Sequence, residues 1–359
     1  MRIFISGGGT GGHIYPAIAI IENILVIDKK AEIFYIGNKK SLEEKIVQQS
    51  NLPVKFLYLK TAGFFNKSLI DKFLSIIYLM KSILNVIRLF IIYNPDFVIG
   101  TGGYVIVPVI IGSIIFRKPF FLQEQNIIPG WTNYFFSSFA KFLFLGFNET
   151  KIFFKKKNKL FYTGNPIRME FFEYTKQEEK DYQKVIIMGG SGGAASINNL
   201  IPDVVNEFKN YEKIKFIHIT GIRDFERILD KSDKSNNNYQ IYPYLNKIWL
   251  EFKDTDLIIC RAGAITITEI AYLKIPMILI PFPAAVKNHQ YWNAYKFYKL
   301  GIADIILDKE LTKENLVEKI KEYILNKEKI AEVKRNFEKI KIENSGQIIV
   351  NKIYSIIKK

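Results

Sequence analysis

Three glycine-bearing segments carry the residue types best suited to chemistry. The first, Gly7-Gly8-Gly9-Thr10-Gly11-Gly12-His13, contains GxGxxG, follows the apolar run 3–6 and precedes a helical segment at 14–25, where Pro16 suits a first turn. In a dinucleotide site such glycines let the backbone approach a pyrophosphate, and an acidic residue about 20 positions on holds the ribose. Here the next apolar run, 32–37, gives way to Gly37-Asn38 without a carboxylate, so NAD is poorly supported and a bare structural turn is the plainer reading. His13 is one of three histidines in the chain. An imidazole titrates near neutrality and suits general-base work, the competing role being a hydrogen bond that orders the loop.

The second segment, Gly189-Gly190-Ser191-Gly192-Gly193-Ala194, again joins an apolar run to a helical one. Its N–H groups and the Ser191 hydroxyl suit a phosphate. The third runs from Arg261 to Glu269. A Gly263-Ala264 turn opens a helix whose Thr266 offers hydroxyl and backbone donors to a diphosphate. A helix N-terminus favours an anion by about 0.3–1 kcal/mol, and by up to about 2 when partly buried. Glu269, near that helix start, suits two ribose hydroxyls; the bland alternative is a dipole-favoured surface glutamate. Asp254-Thr255-Asp256 spells DxD and invites a metal, but it precedes the run 257–260 and so falls at the amino edge of a sheet, whereas open α/β sheets bind ligands beyond the carboxyl ends. It is read as capping or surface residues.

The elements that must position these groups follow from periodicity. Apolar runs at 3–6, 32–37, 97–100 and 119–123 alternate with helix-length stretches. The pattern restarts after 155–159 and Gly164-Asn165-Pro166, with runs at 184–188, 216–220, 257–260 and 277–281. That predicts two parallel α/β domains. Residues 230–239 read as a loop, 315–359 as helical, and His218, inside an apolar run, as structural. Residues 97–116 hold no charge over twenty positions, the length of a membrane span, but four glycines and Pro108 predict a strand, a turn and a new element instead. The 359 residues include 48% hydrophobic ones, enough for two cores. A single cysteine, Cys260, excludes an internal disulfide, and the N-terminus runs directly into the first strand, so no export is expected. The formal charge of +16 points to an anionic partner. The basic residues are scattered rather than gathered in an arm, and nucleic acid is not expected.

Gly8-Gly9-Thr10-Gly11-Gly12-His13, Thr101-Gly102-Gly103-Tyr104, Glu124-Gln125-Asn126, Gly164-Asn165-Pro166-Ile167-Arg168, Gly189-Gly190-Ser191, Arg261-Ala262-Gly263-Ala264-Ile265-Thr266 and His289-Gln290-Tyr291-Trp292-Asn293-Ala294 together, in that order, resemble the MurG glycosyltransferases across nearly the whole chain. The resemblance implies a GT-B fold, two Rossmann-like domains with parallel sheets facing across a cleft. The acceptor domain would span 1–163, with a last helix at 341–359 crossing back to it, and the donor domain 164–340. It implies UDP-N-acetylglucosamine as donor, held by Thr10, Gly11, Gly12 and Asn126 in the first domain. In the second, Ser191, Ala264, Ile265, Thr266, Ile267 and Thr268 would lie about the phosphates and Glu269 on the ribose. Arg168 and Leu245 would lie near uracil, with Tyr244 as a capping aromatic and His289 and Gln290 on the sugar. Two positions depart from the family pattern: His289-Gln290 replaces two glutamines of some members, and Gln123 a frequent histidine.

The implied reaction is attack of a muramyl 4-hydroxyl on the anomeric carbon, with inversion and loss of UDP, and with His13 or Glu124 handling the proton. No cofactor or metal is expected. The implied acceptor is a lipid-linked muramyl peptide at the cytoplasmic face of the bacterial inner membrane. Residues 71–92 suit a peripheral helix with a broad apolar face and basic flanks, including Lys67, Lys72, Lys81 and Arg88, on an anionic leaflet. A sugar-nucleotide epimerase and a non-catalytic UDP-sugar binder at the membrane surface are the competing functions.

Overall fold

The computed structural model describes residues 1–62, 69–173, 180–190 and 192–358. The chain forms two compact units, one of Met1–Met169 with Glu343–Lys359, the other of Glu170–Ile342.

Unit 1 alternates strands and helices: β1 Arg2–Ser6, α1 Gly11–Ile27, β2 Glu32–Asn38, α2 Leu42–Gln49, β3 Val54–Leu59, α3 Leu69–Tyr93, β4 Phe97–Gly100, α4 Ile106–Ile115, β5 Phe120–Glu124, α5 Trp131–Phe136, β6 Phe142–Leu145 and β7 Leu160–Tyr162. The strands make one parallel sheet ordered β3-β2-β1-β4-β5-β6-β7. Successive side chains of a strand point to opposite faces. Ile3, Ile5, Tyr35, Phe97 and Phe121 therefore pack under α1, while Phe4, Phe34, Val98, Phe120 and Leu122 pack under α3, α4 and α5. Each such side chain, fully buried, contributes about 1.5–3 kcal/mol. Residues 97–116 form a strand, a glycine turn and α4, as their composition predicts.

α3 is the apolar helix of note. By length and composition its segment Leu74–Tyr93 could cross a membrane, yet only 22% of it is buried. Val86 and Phe90 face the core, and α4 approaches them closely at Gly112, where a Cβ would lie 2.5 Å from Val86 Cγ1. Met80 and Leu84 remain 63% and 68% exposed, and Lys81 and Arg88 are exposed beside them. Lys67 and the Lys72 side chain lie outside the described residues.

Unit 2 repeats the plan with β8 Gln183–Met188, α6 Ala195–Asn206, β9 Ile214–Ile219, α7 Phe225–Lys231, β10 Tyr239–Tyr242, α8 Ile248–Phe252, β11 Leu257–Cys260, α9 Ala264–Tyr272, β12 Met277–Leu279, α10 His289–Lys299, β13 Ala303–Ile305, α11 Lys313–Ile324 and α12 Lys327–Glu338. Its parallel sheet is ordered β10-β9-β8-β11-β12-β13. The chain then returns to unit 1 as α13, Ser345–Ile357. Asn344 caps α13 by accepting from Gln347 N and donates to Asn23 Oδ1 on α1 at 3.1 Å. Ile349, Val350, Ile353 and Tyr354 complete the core beneath α1, and the Tyr354 ring meets Phe97 edge-on.

Residues 164–169, placed by the sequence in the second half, belong to unit 1. The reason is local packing: Met169 N donates to Glu22 on α1 and the Arg168 guanidinium lies 4.5 Å from the Tyr15 ring centroid.

Candidate active site

Each sheet reverses its winding once, between β1 and β4 in unit 1 and between β8 and β11 in unit 2. The carboxyl ends of the strands beside such a switch point are where an open α/β sheet binds ligands. The glycine loops that follow β1 and β4 lie at the first switch point, and those that follow β8 and β11 at the second.

In unit 1, α1 starts at Gly11 immediately after Thr10, which makes no side-chain cap, so Thr10, Gly11 and Gly12 form the helix entrance. His13 stands in the first turn. Its Nδ1 lies 3.1 Å from Thr101 O and 3.2 Å from Gln125 Oε1, while the Thr101 hydroxyl donates to His13 O at 2.6 Å. Two acceptors at Nδ1 assign the proton there, so in the neutral ring the lone pair belongs to Nε2. The geometry gives His13 a loop-ordering contact through one nitrogen and a basic site on the other.

Glu124 is buried at the end of β5, and its carboxylate serves the loop that follows. Oε1 accepts from Asn126 N at 2.9 Å and Asn126 Nδ2 at 3.2 Å; Oε2 accepts from Gly130 N at 3.0 Å and Asn133 Nδ2 at 2.9 Å. Four donors fix the 126–130 turn around it, which makes Glu124 a positioning group for Asn126. The sequence reading missed three supports. Gln125 donates to Thr101 O and Gln123 Oε1, Glu43 accepts from Asn38 N and Gly9 N, and Tyr35 donates to Gly7 O at 2.5 Å. Burial, then the Glu43 carboxylate, pushes the Tyr35 hydroxyl well above its ordinary pKa, so it stays a donor. No short motif announces Glu43 or Tyr35, because the sheet brings them in from α2 and β2, and the Glu124-Gln125-Asn126 motif does not reveal what Gln125 contacts.

In unit 2, Gly190 and Gly193 both take positive φ, and a Cβ on Gly193 would lie 2.1 Å from Thr220 O. Asn198 on α6 donates to that same carbonyl and to Asp224, and its Oδ1 meets His218 Nε2 at 3.1 Å. His218 Nδ1 takes the Tyr239 hydroxyl at 2.7 Å. Burial lowers the His218 pKa from 6.5 to about 3, so the ring is a neutral tie between β9, β10 and α6, as its apolar run predicts. Ser191 lies outside the described residues.

The third loop enters α9 through Gly263, and the helix leaves the N–H groups of Ala264, Ile265 and Thr266 without an intrahelical acceptor. The N–H of Ile267 already donates to Gly263 O and its side chain is fully buried. The Thr268 hydroxyl donates back to Ala264 O at 2.7 Å. Both groups are thus engaged within the helix, and the N–H groups left at its entrance are those of 264–266. Glu269 is only 5% exposed, which removes the reading of an ordinary surface glutamate.

Arg261 ties this entrance together, donating to Asp308 Oδ1 at 2.6 Å and Ser196 Oγ at 2.7 Å. Gln290, in the first turn of α10, accepts from Phe282 N at 2.9 Å and Ala262 N at 3.2 Å through Oε1. That orients its amide as a donor. His289 Nδ1 meets Val286 O at 2.9 Å. Tyr244 and Leu245 follow β10, at the same carboxyl edge and half-buried.

The DxD pair sits at the opposite edge and is more than a surface cap. Asp254 accepts from the Tyr182 hydroxyl at 2.8 Å and pairs with Lys184, and Asp256 accepts from Lys184 N at 2.7 Å and pairs with Lys180 at 2.6 Å. The hydrogen bond to Asp254, with a smaller contribution from burial, pushes the Tyr182 hydroxyl up to about 12. Both carboxylates are engaged by the chain's own cations.

Residues 3–144 match the glycosyltransferase family 28 N-terminal domain and residues 184–348 the glycosyltransferase family 28 C-terminal domain. Over 366 residues the chain is 35% identical to a protein of Acetivibrio thermocellus, covering 100% of this chain and 98% of that protein. Over 369 residues it is 36% identical to one of Thermoanaerobacter sp. strain X514, covering 100% and 99%. Both bear the name UDP-N-acetylglucosamine–N-acetylmuramyl-(pentapeptide) pyrophosphoryl-undecaprenol N-acetylglucosamine transferase. Among solved structures the fold is similar to that of Acinetobacter baumannii MurG, with a TM-score of 0.76, 23% identity and 99% of each chain covered.

Proposed function

Because the chain belongs to the MurG family of glycosyltransferase family 28, we propose that it moves N-acetylglucosamine from UDP to the 4-hydroxyl of a pyrophosphoryl-undecaprenol-linked muramyl peptide, making the disaccharide-bearing lipid intermediate of peptidoglycan synthesis. Two observations carry the chemistry, each within its own unit: in unit 1 an imidazole whose neutral ring has its lone pair on Nε2, and in unit 2 a helix entrance whose first three backbone donors have no intrahelical acceptor. His13 Nε2 takes the proton of the muramyl 4-hydroxyl as that oxygen bonds to the anomeric carbon. The bond from that carbon to the diphosphate breaks, its electron pair passes to the phosphate oxygen, and the α-linked donor becomes a β-linked product. The N–H groups of Ala264, Ile265 and Thr266 stabilise the charge growing on UDP. Glu269 takes the ribose hydroxyls, and the Gln290 amide donates to the sugar.

The reaction on this reading needs no divalent ion, since the α9 entrance supplies the neutralisation a metal otherwise gives. The donor sugar keeps its configuration at C2, which separates this activity from epimerisation.

The acceptor's lipid tail requires a membrane-facing surface, and α3 fits it. A few cations at about 1 kcal/mol each, plus inserted side chains such as Met80 and Leu84, give reversible attachment to the anionic cytoplasmic leaflet. Purified protein incubated with radiolabelled UDP-N-acetylglucosamine and the lipid-linked acceptor should yield a labelled lipid, undiminished by EDTA. No labelled lipid would overturn the activity, and loss on chelation with recovery on magnesium or manganese would overturn the metal-free step.

A further inference from the structure

The first glycine loop rests on a buried charge. Glu43 is 1% exposed in the first turn of α2, where a helix dipole favours a carboxylate, and Ser41 caps that turn by accepting from Glu44 N. Its side chain reaches the loop through a gap that two glycines leave open. A Cβ on Gly37 would lie 2.8 Å from Glu43 Cγ, and one on Gly8 would lie 2.9 Å from the carboxyl carbon. Among the described residues the carboxylate is in no ion pair and accepts only from Asn38 N at 3.1 Å and Gly9 N at 3.4 Å. Glu124, by contrast, takes four donors. A buried charge held by so few partners costs stability that a neutral side chain would not, and folds sustain such costs chiefly at functional sites.

The loop passes this constraint on to His13. Gly8 N donates to Gly102 O at 3.4 Å, and a Cβ on Gly103 would collide with Gly8 O. The imidazole closes on the same pair of glycines: a Cβ on Gly102 would lie 2.6 Å from His13 Nδ1, and one on Gly103 3.4 Å from His13 Cδ2. Tyr104, next in the chain, covers Gly9, its ring 3.4 Å from where a Cβ would stand. Burial, then the Glu43 carboxylate, raises the Tyr104 hydroxyl above its ordinary pKa, so the charge lies within reach of both sides of the loop. Resting on the reading of His13 as the base, we propose that Glu43 is a positioning residue for the transfer: by holding Gly8 and Gly9 from α2 it fixes the Gly102-Gly103 seat, and so the bearing of His13 Nε2 on the acceptor hydroxyl. Its effect falls on rate rather than on donor binding. Misplacing a reacting group by about 1 Å costs roughly 10²-fold, whereas the ribose and diphosphate contacts of that reading belong to unit 2.

A double-mutant cycle on the full chain tests this. Glu43→Gln keeps the side chain's size, removes the charge and sets an NH2 group where the second acceptor stood. It should lower kcat about 10–100-fold and leave the KM for UDP-N-acetylglucosamine within about twofold of the parent. The decisive arm combines it with His13→Ala. A residue that acts through His13 has little left to lose once the imidazole is gone, so the double variant should be at most about twofold slower than His13→Ala alone. Equal fold losses in the two backgrounds would mean a general loosening of unit 1 and would overturn the proposal, as would a Glu43→Gln variant with the parent's kcat. Unaltered turnover in His13→Ala would remove the base assignment and this inference together; a slow His13→Ala beside a fast Glu43→Gln would remove the inference alone. Should Glu43→Gln not fold, as read by its melting curve, Glu43→Asp takes its place in the same cycle with the same outcomes, since it keeps the charge but stops one methylene short of Gly9.

Discussion

His13 and His218 show how differently two imidazoles are used. His13 holds its loop through Nδ1 and presents a basic Nε2, so His13→Ala should lower turnover by about 10²–10⁴-fold while UDP affinity stays near that of the parent. A folded variant with unaltered turnover would reduce His13 to a loop tie. His218 is buried, and its folded pKa of about 3 lies below the 6.5 of an exposed imidazole. Between those values the unfolded chain binds more protons, so the stability this residue contributes is complete above pH 6.5 and falls as acid is added, by up to about 1.4 kcal/mol per unit. Urea unfolding from pH 7.5 to 5 should show that slope flattened in His218→Gln; equal slopes would refute the assignment. Of the site, the sequence made the loop residues legible, since glycine, threonine and histidine after an apolar run have local meaning. It did not reveal that Glu124 is fully engaged, because occupancy of a carboxylate is a three-dimensional property. Nor did it reveal Glu43 or Tyr35, whose role arises only when β2 and α2 fold beside β1.

Among the elements, most buried strands were legible, although β6, apolar and buried, was missed along with marginal ones. β1, β4, β5, β8 and β11 have central residues buried on both faces and read as apolar runs, with polar residues only at their ends. β3 and β13 escape notice for physical reasons: β3 is an edge strand that alternates with solvent and includes Lys55, and β13 has three residues, one of them Asp304. The uncharged twenty residues at 97–116 drew the eye, yet the long apolar helix is α3, where Lys81 and Arg88 interrupt the run in sequence while its exposed surface stays largely apolar. The second glycine loop gives the sharpest element-scale prediction. Gly193→Ala places a Cβ against Thr220 O at φ +74°, a strain of roughly 1–3 kcal/mol, so calorimetry should find UDP bound about tenfold more weakly and the melting temperature lowered by several degrees. Unchanged affinity would remove this loop from the donor site.

At the scale of the whole molecule, the first unit is discontinuous in sequence and the second is not. α13 supplies Ile349, Val350, Ile353 and Tyr354 to the core under α1, four side chains at about 1.5–3 kcal/mol each. That sum rivals the roughly 5–15 kcal/mol by which a domain is stable at all. A chain ending at Ile342 should therefore lose protection of unit 1 to hydrogen exchange and proteolysis while unit 2 keeps its own; a protected unit 1 in that truncation would show the closing helix to be dispensable. The same wiring orders events on the ribosome. Unit 2 spans 173 residues (170 to 342), so at about 5–20 residues per second the first unit waits about 9 to 35 s after Met169 before the helix that completes it begins to be polymerised. Throughout that interval the underside of α1 is an uncovered greasy surface, and the half of the protein synthesised first becomes the half that matures last, the one a nascent-chain chaperone must hold.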